Sequence, residues 1–136
     1  MAAPGHGGKR ILLVDDDFTT QEAMSMILAA NGYRVAVARN GVDALERLRG
    51  FEPPELILVD LRMPVMDGRA FCAACRAEAA ARSVPLVVVS GSPDADEQAA
   101  RIGAAACLHK PVDVSEMLAT VRALCAAAPA ATAPGA

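Results

Sequence analysis

Short apolar runs alternate with amphipathic stretches along this chain. RILLV (10–14) is apolar after its first residue and is followed by acids, the pattern of a strand buried on both faces. Over 19–30, Ala23, Met26, Ile27 and Ala30 recur at helical spacing, and Asn31-Gly32 supplies a stop. Residues 33–38 alternate as a second strand. Asn40 is placed to cap a helix running to about Gly50, with Val42, Leu45 and Leu48 on its buried stripe. Pro53-Pro54 breaks the chain before LILVD (56–60), a third buried strand. Pro64 and Asp67-Gly68 mark a loop, and 68–81 reads as a helix. PLVVVS (85–90) is a fourth strand, Pro93 starts a helix that ends near Gly103, and 105–109 is a weaker fifth strand. Val114, Met117, Leu118, Val121, Leu124 and Cys125 then mark the apolar face of a last helix.

Five strand–helix units in strict alternation predict an α/β protein: a doubly wound, five-stranded parallel sheet with five helices and right-handed crossovers. Five units suit the strand order 2-1-3-4-5, in which ligands sit beyond the carboxyl ends of strands 1 and 3. The 136 residues suit one domain, placed at 9–127. Residues 1–8 and 128–136 are rich in Gly, Ala and Pro and read as flexible tails, the second also as a linker. At 54% hydrophobic the chain is not disordered, and at 3% aromatic its core is aliphatic.

The polar residues concentrate where that topology puts a site. Strand 1 ends in Asp15-Asp16-Asp17, strand 3 in Asp60, strand 4 in Ser90 and strand 5 in His109-Lys110-Pro111. One helix cap explains one acid after strand 1, but neither the other two nor Asp60. Carboxylates this close raise one another's pKa unless a cation offsets them, and a hard divalent ion with oxygen ligands, Mg2+ best, suits the set. Lys110 is one of two lysines, with Lys9, among 13 basic residues. Its compact ammonium reaches a phosphoryl oxygen where a guanidinium fork would not.

ILLVDDD, PELILVDLRMPVMDG, VVVSG and HKP, in this order and spacing, resemble the receiver domain of bacterial two-component response regulators over about residues 9–127. The resemblance implies a flavodoxin-like fold and a Mg2+-dependent phosphoacceptor that switches partner binding, a signalling module that catalyses its own phosphorylation and dephosphorylation rather than an enzyme in the usual sense. Residue by residue, it makes Asp60 the phosphoacceptor. Asp15, Asp16, Asp60 and the backbone carbonyl of Arg62 become the metal ligands. Ser90 is implied as the hydroxyl that contacts the phosphoryl group and Lys110 as its cationic partner, with Lys110-Pro111 a cis peptide. Asp17 falls outside the acid pair and is expected to cap the first helix. The implied partners are a histidine kinase or histidine phosphotransfer protein, and a downstream target or fused output domain. Two organisations fit: a stand-alone receiver that works by docking, and a piece of a hybrid kinase or larger regulator. Where the family usually carries Tyr or Phe, three residues before its lysine, this chain has Cys107. The switch pair is therefore Ser90 and Cys107, with a weaker or differently routed second move expected.

Two other readings compete. Asp15-x-Asp17-x-Thr19 also fits the first motif of haloacid-dehalogenase-like phosphatases, but that reading leaves Asp60 and its loop unexplained. A pseudo-receiver that is never phosphorylated would be expected to lack an acid or the lysine, and all are present. Cys72-x-x-Cys75 falls mid-helix beside Phe71 and reads as core packing; no second Cys pair and no His lie at zinc spacing. His109 is expected to serve structure. With 13 basic against 16 acidic residues and a net charge of -3, direct nucleic-acid binding is not expected. No apolar stretch is long enough to span a membrane, and residues 1–8 lack a leader-type core. A cytoplasmic protein with reduced thiols is expected.

Overall fold

The computed structural model describes residues 8–50, 53–62, 67–79 and 81–132, the last seven as backbone only. Its elements alternate strictly: β1 (Arg10–Val14), α1 (Phe18–Ala30), β2 (Arg34–Ala38), α2 (Gly41–Gly50), β3 (Leu56–Asp60), α3 (Gly68–Ala77), β4 (Leu86–Ser90), α4 (Ala95–Ile102), β5 (Ala106–His109) and α5 (Val114–Thr132). The strands form one parallel sheet in the order β2-β1-β3-β4-β5, as the alternation predicts. Every residue of β3 and β4 is buried, which is why those segments are apolar without alternation.

Successive side chains of each strand feed opposite layers. Leu12, Val14, Ile57 and Val59 pack with Leu45, Leu48, Phe71, Cys72 and Cys75 under α2 and α3. Ile11, Leu13, Leu56 and Leu58 pack with Met24, Leu28, Met117 and Val121 under α1 and α5. Leu61, Val88 and Ala99 form a smaller cluster beneath α4, with Cys107 against it. The Cys72–Cys75 pair is core, as the sequence indicates, and burial pushes the two thiols up to about 11 and 12.

The expected face of α1 is wrong. Gln21, Met24 and Leu28 are buried, whereas Ala23, Met26 and Ala30 are exposed and Ile27 only half-buried. Apolar residues lie all round this helix, so periodicity does not fix its phase; the anchoring of its first turn does. Asp17 caps that turn and buried Gln21 donates to the carbonyls of Asp15 and Ala38, at 3.0 and 3.2 Å. In α2 the Asn40 side chain accepts from the Asp43 N–H at 2.8 Å, as expected, but Val42 is exposed and Ala44 takes the expected inward place. Helix α3 ends at Ala77, short of 81, because the chain turns extended at Glu78. Val114 lies exposed at the start of α5, off the buried face of Met117, Val121 and Cys125.

Helix α5 continues to Thr132, past the expected domain end at 127; residues 133–136 and 1–7 of the two tails lie outside the described residues. The extension runs through Pro129, which has no N–H to give the carbonyl four residues back. That carbonyl belongs to Cys125, and the Lys9 ammonium donates to it at 2.8 Å. The chain's first lysine thus satisfies an acceptor that its last helix cannot.

Lys9→Ala should cost about 1 kcal/mol of stability. The cost should shrink in a Pro129→Ala background, where residue 129 regains its own donor. Urea unfolding of the four variants checks this, and an equal cost in both backgrounds would contradict it.

Candidate functional site

The parallel register brings the ends of β1, β3, β4 and β5 to one rim of the sheet. Asp15 follows β1 and its N–H donates to the Ala38 carbonyl at 3.1 Å, so the bond ladder with β2 continues one residue past the strand. The Asp15 side chain is 2% exposed and that of Asp60 6%, while Asp16 is exposed. One oxygen from each of the three lies within 4.8 Å of the others. Lys110 reaches in from the end of β5: its Nζ donates to Asp60 Oδ2 at 3.1 Å and lies 3.7 Å from Asp15 Oδ2. The peptide Lys110-Pro111 is cis, as the family resemblance implies.

Each carboxylate is also held by backbone. The Asp17 N–H donates to Asp15 Oδ1 at 2.9 Å and the Arg62 N–H to Asp60 Oδ1 at 3.0 Å. Ser90, 1% exposed, accepts from the Ser92 N–H at 3.0 Å, and its carbonyl accepts from the Lys110 N–H at 2.9 Å. The sites read from the sequence therefore meet at one place: Asp15, Asp16, Asp60, Ser90 and Lys110. Arg62 stands at the rim, and Met63, Pro64, Val65 and Met66 of the quoted loop lie outside the described residues.

Charge is the feature that defines the site. Burial, with Asp60 adding repulsion, pushes Asp15 up to about 6 against the opposing pull of the Asp17 N–H and Lys110. Burial also works against the Lys110 charge, but the bond to Asp60 and the nearness of Asp15 outweigh it and hold that ammonium above its ordinary value. Two nearly buried carboxylates and one exposed one, served by a single ammonium, remain short of positive charge. An all-oxygen donor set with that deficit fits a hard dication such as Mg2+.

Asp17 plays a different part. Its carboxylate accepts from the Thr20 hydroxyl and, at 3.0 Å, from the Thr20 N–H, and these bonds lower its pKa. It caps α1, as expected, a structural part that accounts for this acid without the phosphatase reading.

Two contributors were invisible in the sequence. Gln21 reads as a polar surface residue of α1, yet it ties Asp15 to β2 from beneath. Gly68 opens α3 so close to the end of β3 that a Cβ there would lie 2.7 Å from the Asp60 carbonyl oxygen and 2.6 Å from Leu61 Cα. Both obstacles are backbone. The Asp67-Gly68 pair was legible as a turn, and the contact that demands glycine was not.

Comparison with known proteins agrees with this geometry. The sequence profile of the response regulator receiver domain matches residues 11–122. Response regulator MprA of Mycobacterium ulcerans is 38% identical over 117 residues, covering 85% of this chain and 49% of that protein. The MprA protein of Mycobacterium leprae is also 38% identical, over 85% and 50%. The chain thus spans about half the length of these relatives. Among solved structures, the chemotaxis protein CheY4 of Vibrio cholerae superposes with a TM-score of 0.78 at 28% identity, covering 85% of this chain and 98% of that one. The receiver domain of a Pseudomonas aeruginosa sensor histidine kinase, described with a magnesium ion in its active-site cleft, gives 0.80 at 28% identity, over 88% and 98%.

Asp15 binds its proton more tightly folded than unfolded, so between about pH 4 and pH 6 the folded state carries the extra proton and stability falls as pH rises. Without divalent metal, Asp15→Asn should therefore melt above the wild type at pH 7, and the gap should close as pH falls through 6. Melting curves across pH 4 to 7 test this; a variant that melts lower at pH 7 would contradict it. Gly68→Ala should cost about 1–3 kcal/mol, because the added methyl meets backbone on two sides. Denaturation midpoints measure it, and a loss under 0.5 kcal/mol, roughly that of a neutral surface change, would show the contact to be slack.

Proposed function

Because the chain belongs to the response regulator receiver domain family, we propose that it is the phosphoacceptor of a two-component relay, with Asp60 as the residue that takes the phosphoryl group. A receiver is a signalling domain rather than an enzyme. The observation that carries the Asp60 assignment is the Lys110 ammonium 3.1 Å from its Oδ2, at the sheet rim where two further acids converge. The proposed donor is a phosphohistidine on a histidine kinase or phosphotransfer protein, and the receiver unit is residues 9–127. A downstream protein or a fused output domain is the proposed reader.

In the transfer, the N–P bond of the donor breaks as an O–P bond to an Asp60 carboxylate oxygen forms, and the imidazole keeps the electron pair. A carboxylate is a modest nucleophile, so positioning and electrostatics carry the rate. Asp60 is aimed by the Arg62 N–H and by Lys110. Lys110 then offsets charge on the phosphoryl oxygens. Ser90 Oγ already accepts from Ser92, so the hydroxyl hydrogen is the part left to donate. Asp15, Asp16, Asp60 and the carbonyl of Arg62 are the proposed holders of Mg2+, which when bound neutralises developing phosphoryl charge. The later attack of water on the acyl phosphate is proposed as the chain's own dephosphorylation.

Transfer adds about one to two negative charges at a site already rich in them, and that is the proposed switch. Ser90 and Cys107 are its proposed relay. Cys107 lies half-buried against the cluster beneath α4. With one short rotor it buries far less area than an aromatic could, so the response is proposed to run mainly through 91–96, from the loop after β4 into the first turn of α4.

Incubation with acetyl phosphate and Mg2+ should add one phosphoryl group by intact mass, with none on Asp60→Asn. Label retained in that variant, or mapped to Asp15, would overturn the assignment.

A further inference from the structure

The geometry points to a second metal site, made by Asp96, Cys107 and His109 on the surface between α4 and β5, that takes a zinc-class divalent cation. Cys107 and His109 are alternate residues of β5 and project to one face of it. Asp96 stands in the first turn of α4, which packs beside that strand. One ligand atom from each of the three lies within 4.8 Å of the others. The Asp96 carboxylate already faces both partners: His109 Nε2 lies 3.0 Å from its Oδ1, and the Cys107 sulfur is within 4.8 Å of a carboxylate oxygen. The sequence gives His109 only a structural part, because the third ligand lies on a different element and no local spacing signals it.

The donor set separates this site from the acidic pocket. Sulfur, imidazole nitrogen and one carboxylate oxygen suit zinc and its neighbours, whereas Mg2+ and Ca2+ favour oxygen alone. Three protein ligands leave the fourth tetrahedral position to water. The side chains of His109 and Asp96 are 50% and 77% exposed, so an ion reaches them without the fold opening. Burial first, then Asp96 and the Glu116 carboxylate of α5, push the thiol up to about 11, so it is protonated in the metal-free protein. Binding forms a metal–sulfur bond and releases that proton to solvent, as a coordinated dication does to a thiol. His109 Nε2, whose N–H faces the Asp96 carboxylate in the metal-free protein, loses that proton to solvent as Nδ1 takes one up, and its freed lone pair goes to the metal. An occupied site would tie the first turn of α4 to β5 one residue from Lys110. This inference does not depend on whether Asp60 accepts a phosphoryl group.

Zn2+ is titrated into the full chain in saturating Mg2+, which fills the all-oxygen pocket, and Co2+ is used in parallel for its sulfur charge-transfer absorption. One equivalent of Zn2+ should bind, and Co2+ should give the sulfur band. Cys107→Ser should abolish the band even though Cys72, Cys75 and Cys125 remain. Asp96→Asn and His109→Ala should each weaken Zn2+ binding by about tenfold or more. His6→Ala should bind as the wild type does. Absence of the band, its survival in Cys107→Ser, or wild-type affinity in both Asp96→Asn and His109→Ala would overturn the assignment.

Discussion

Two carboxylates at the ends of neighbouring strands, both nearly closed off from water, share one ammonium delivered from the far side of the sheet. The contact of Lys110 with Asp60 and Asp15 is the constraint around which the other features of the rim are arranged. It requires β1 and β3 to be adjacent and β5 to end level with β4, which the parallel register supplies. It requires Asp60 to stay put, which the Arg62 N–H and the bare backbone of Gly68 supply. Asp15 in turn is fixed through Gln21, so the first turn of α1 belongs to the site as much as to the core. Remove the ammonium and the two acids would repel in a place where water cannot screen them.

The strands and their order were legible because burial on both faces forces uninterrupted apolar runs, and strict alternation with helices admits few topologies. The rim was legible because Asp15, Asp16, Asp60, Ser90 and Lys110 each end or follow such a run. Helix faces were read less well. Met26 and Val42 are apolar and lie exposed, while Gln21 is polar and lies buried, because the phase of a short helix is set by what its first turn grips. The carbonyl that Pro129 leaves without its usual partner in α5 is served by Lys9, 116 residues away, and no local pattern reports such a bond. The same holds for Asp96 with Cys107 and His109, and for the contact that excludes a side chain at Gly68.

The two polar centres of this domain differ in kind. One is assembled from oxygen and is recessed; the other mixes sulfur, nitrogen and oxygen and lies at the surface. Both draw on the end of β5, where His109 and Lys110 are consecutive and face different neighbours. A strand that alternates its side chains can serve two chemistries within two residues, and β5, an edge strand whose last residue is exposed, has room to do so.

The ladder of sequence positions in the recessed centre has a temporal meaning during synthesis. Residue 15 emerges first, residue 60 much later, and residue 110 only after all five strands have been made. A nascent chain that stops short of the last strand can pair β1 with β3 and bring the two acids together, with no cation between them. The half-made sheet thus lacks at its own rim the counter-charge that β5 brings. The rim gains its counter-charge in the same step that completes the sheet.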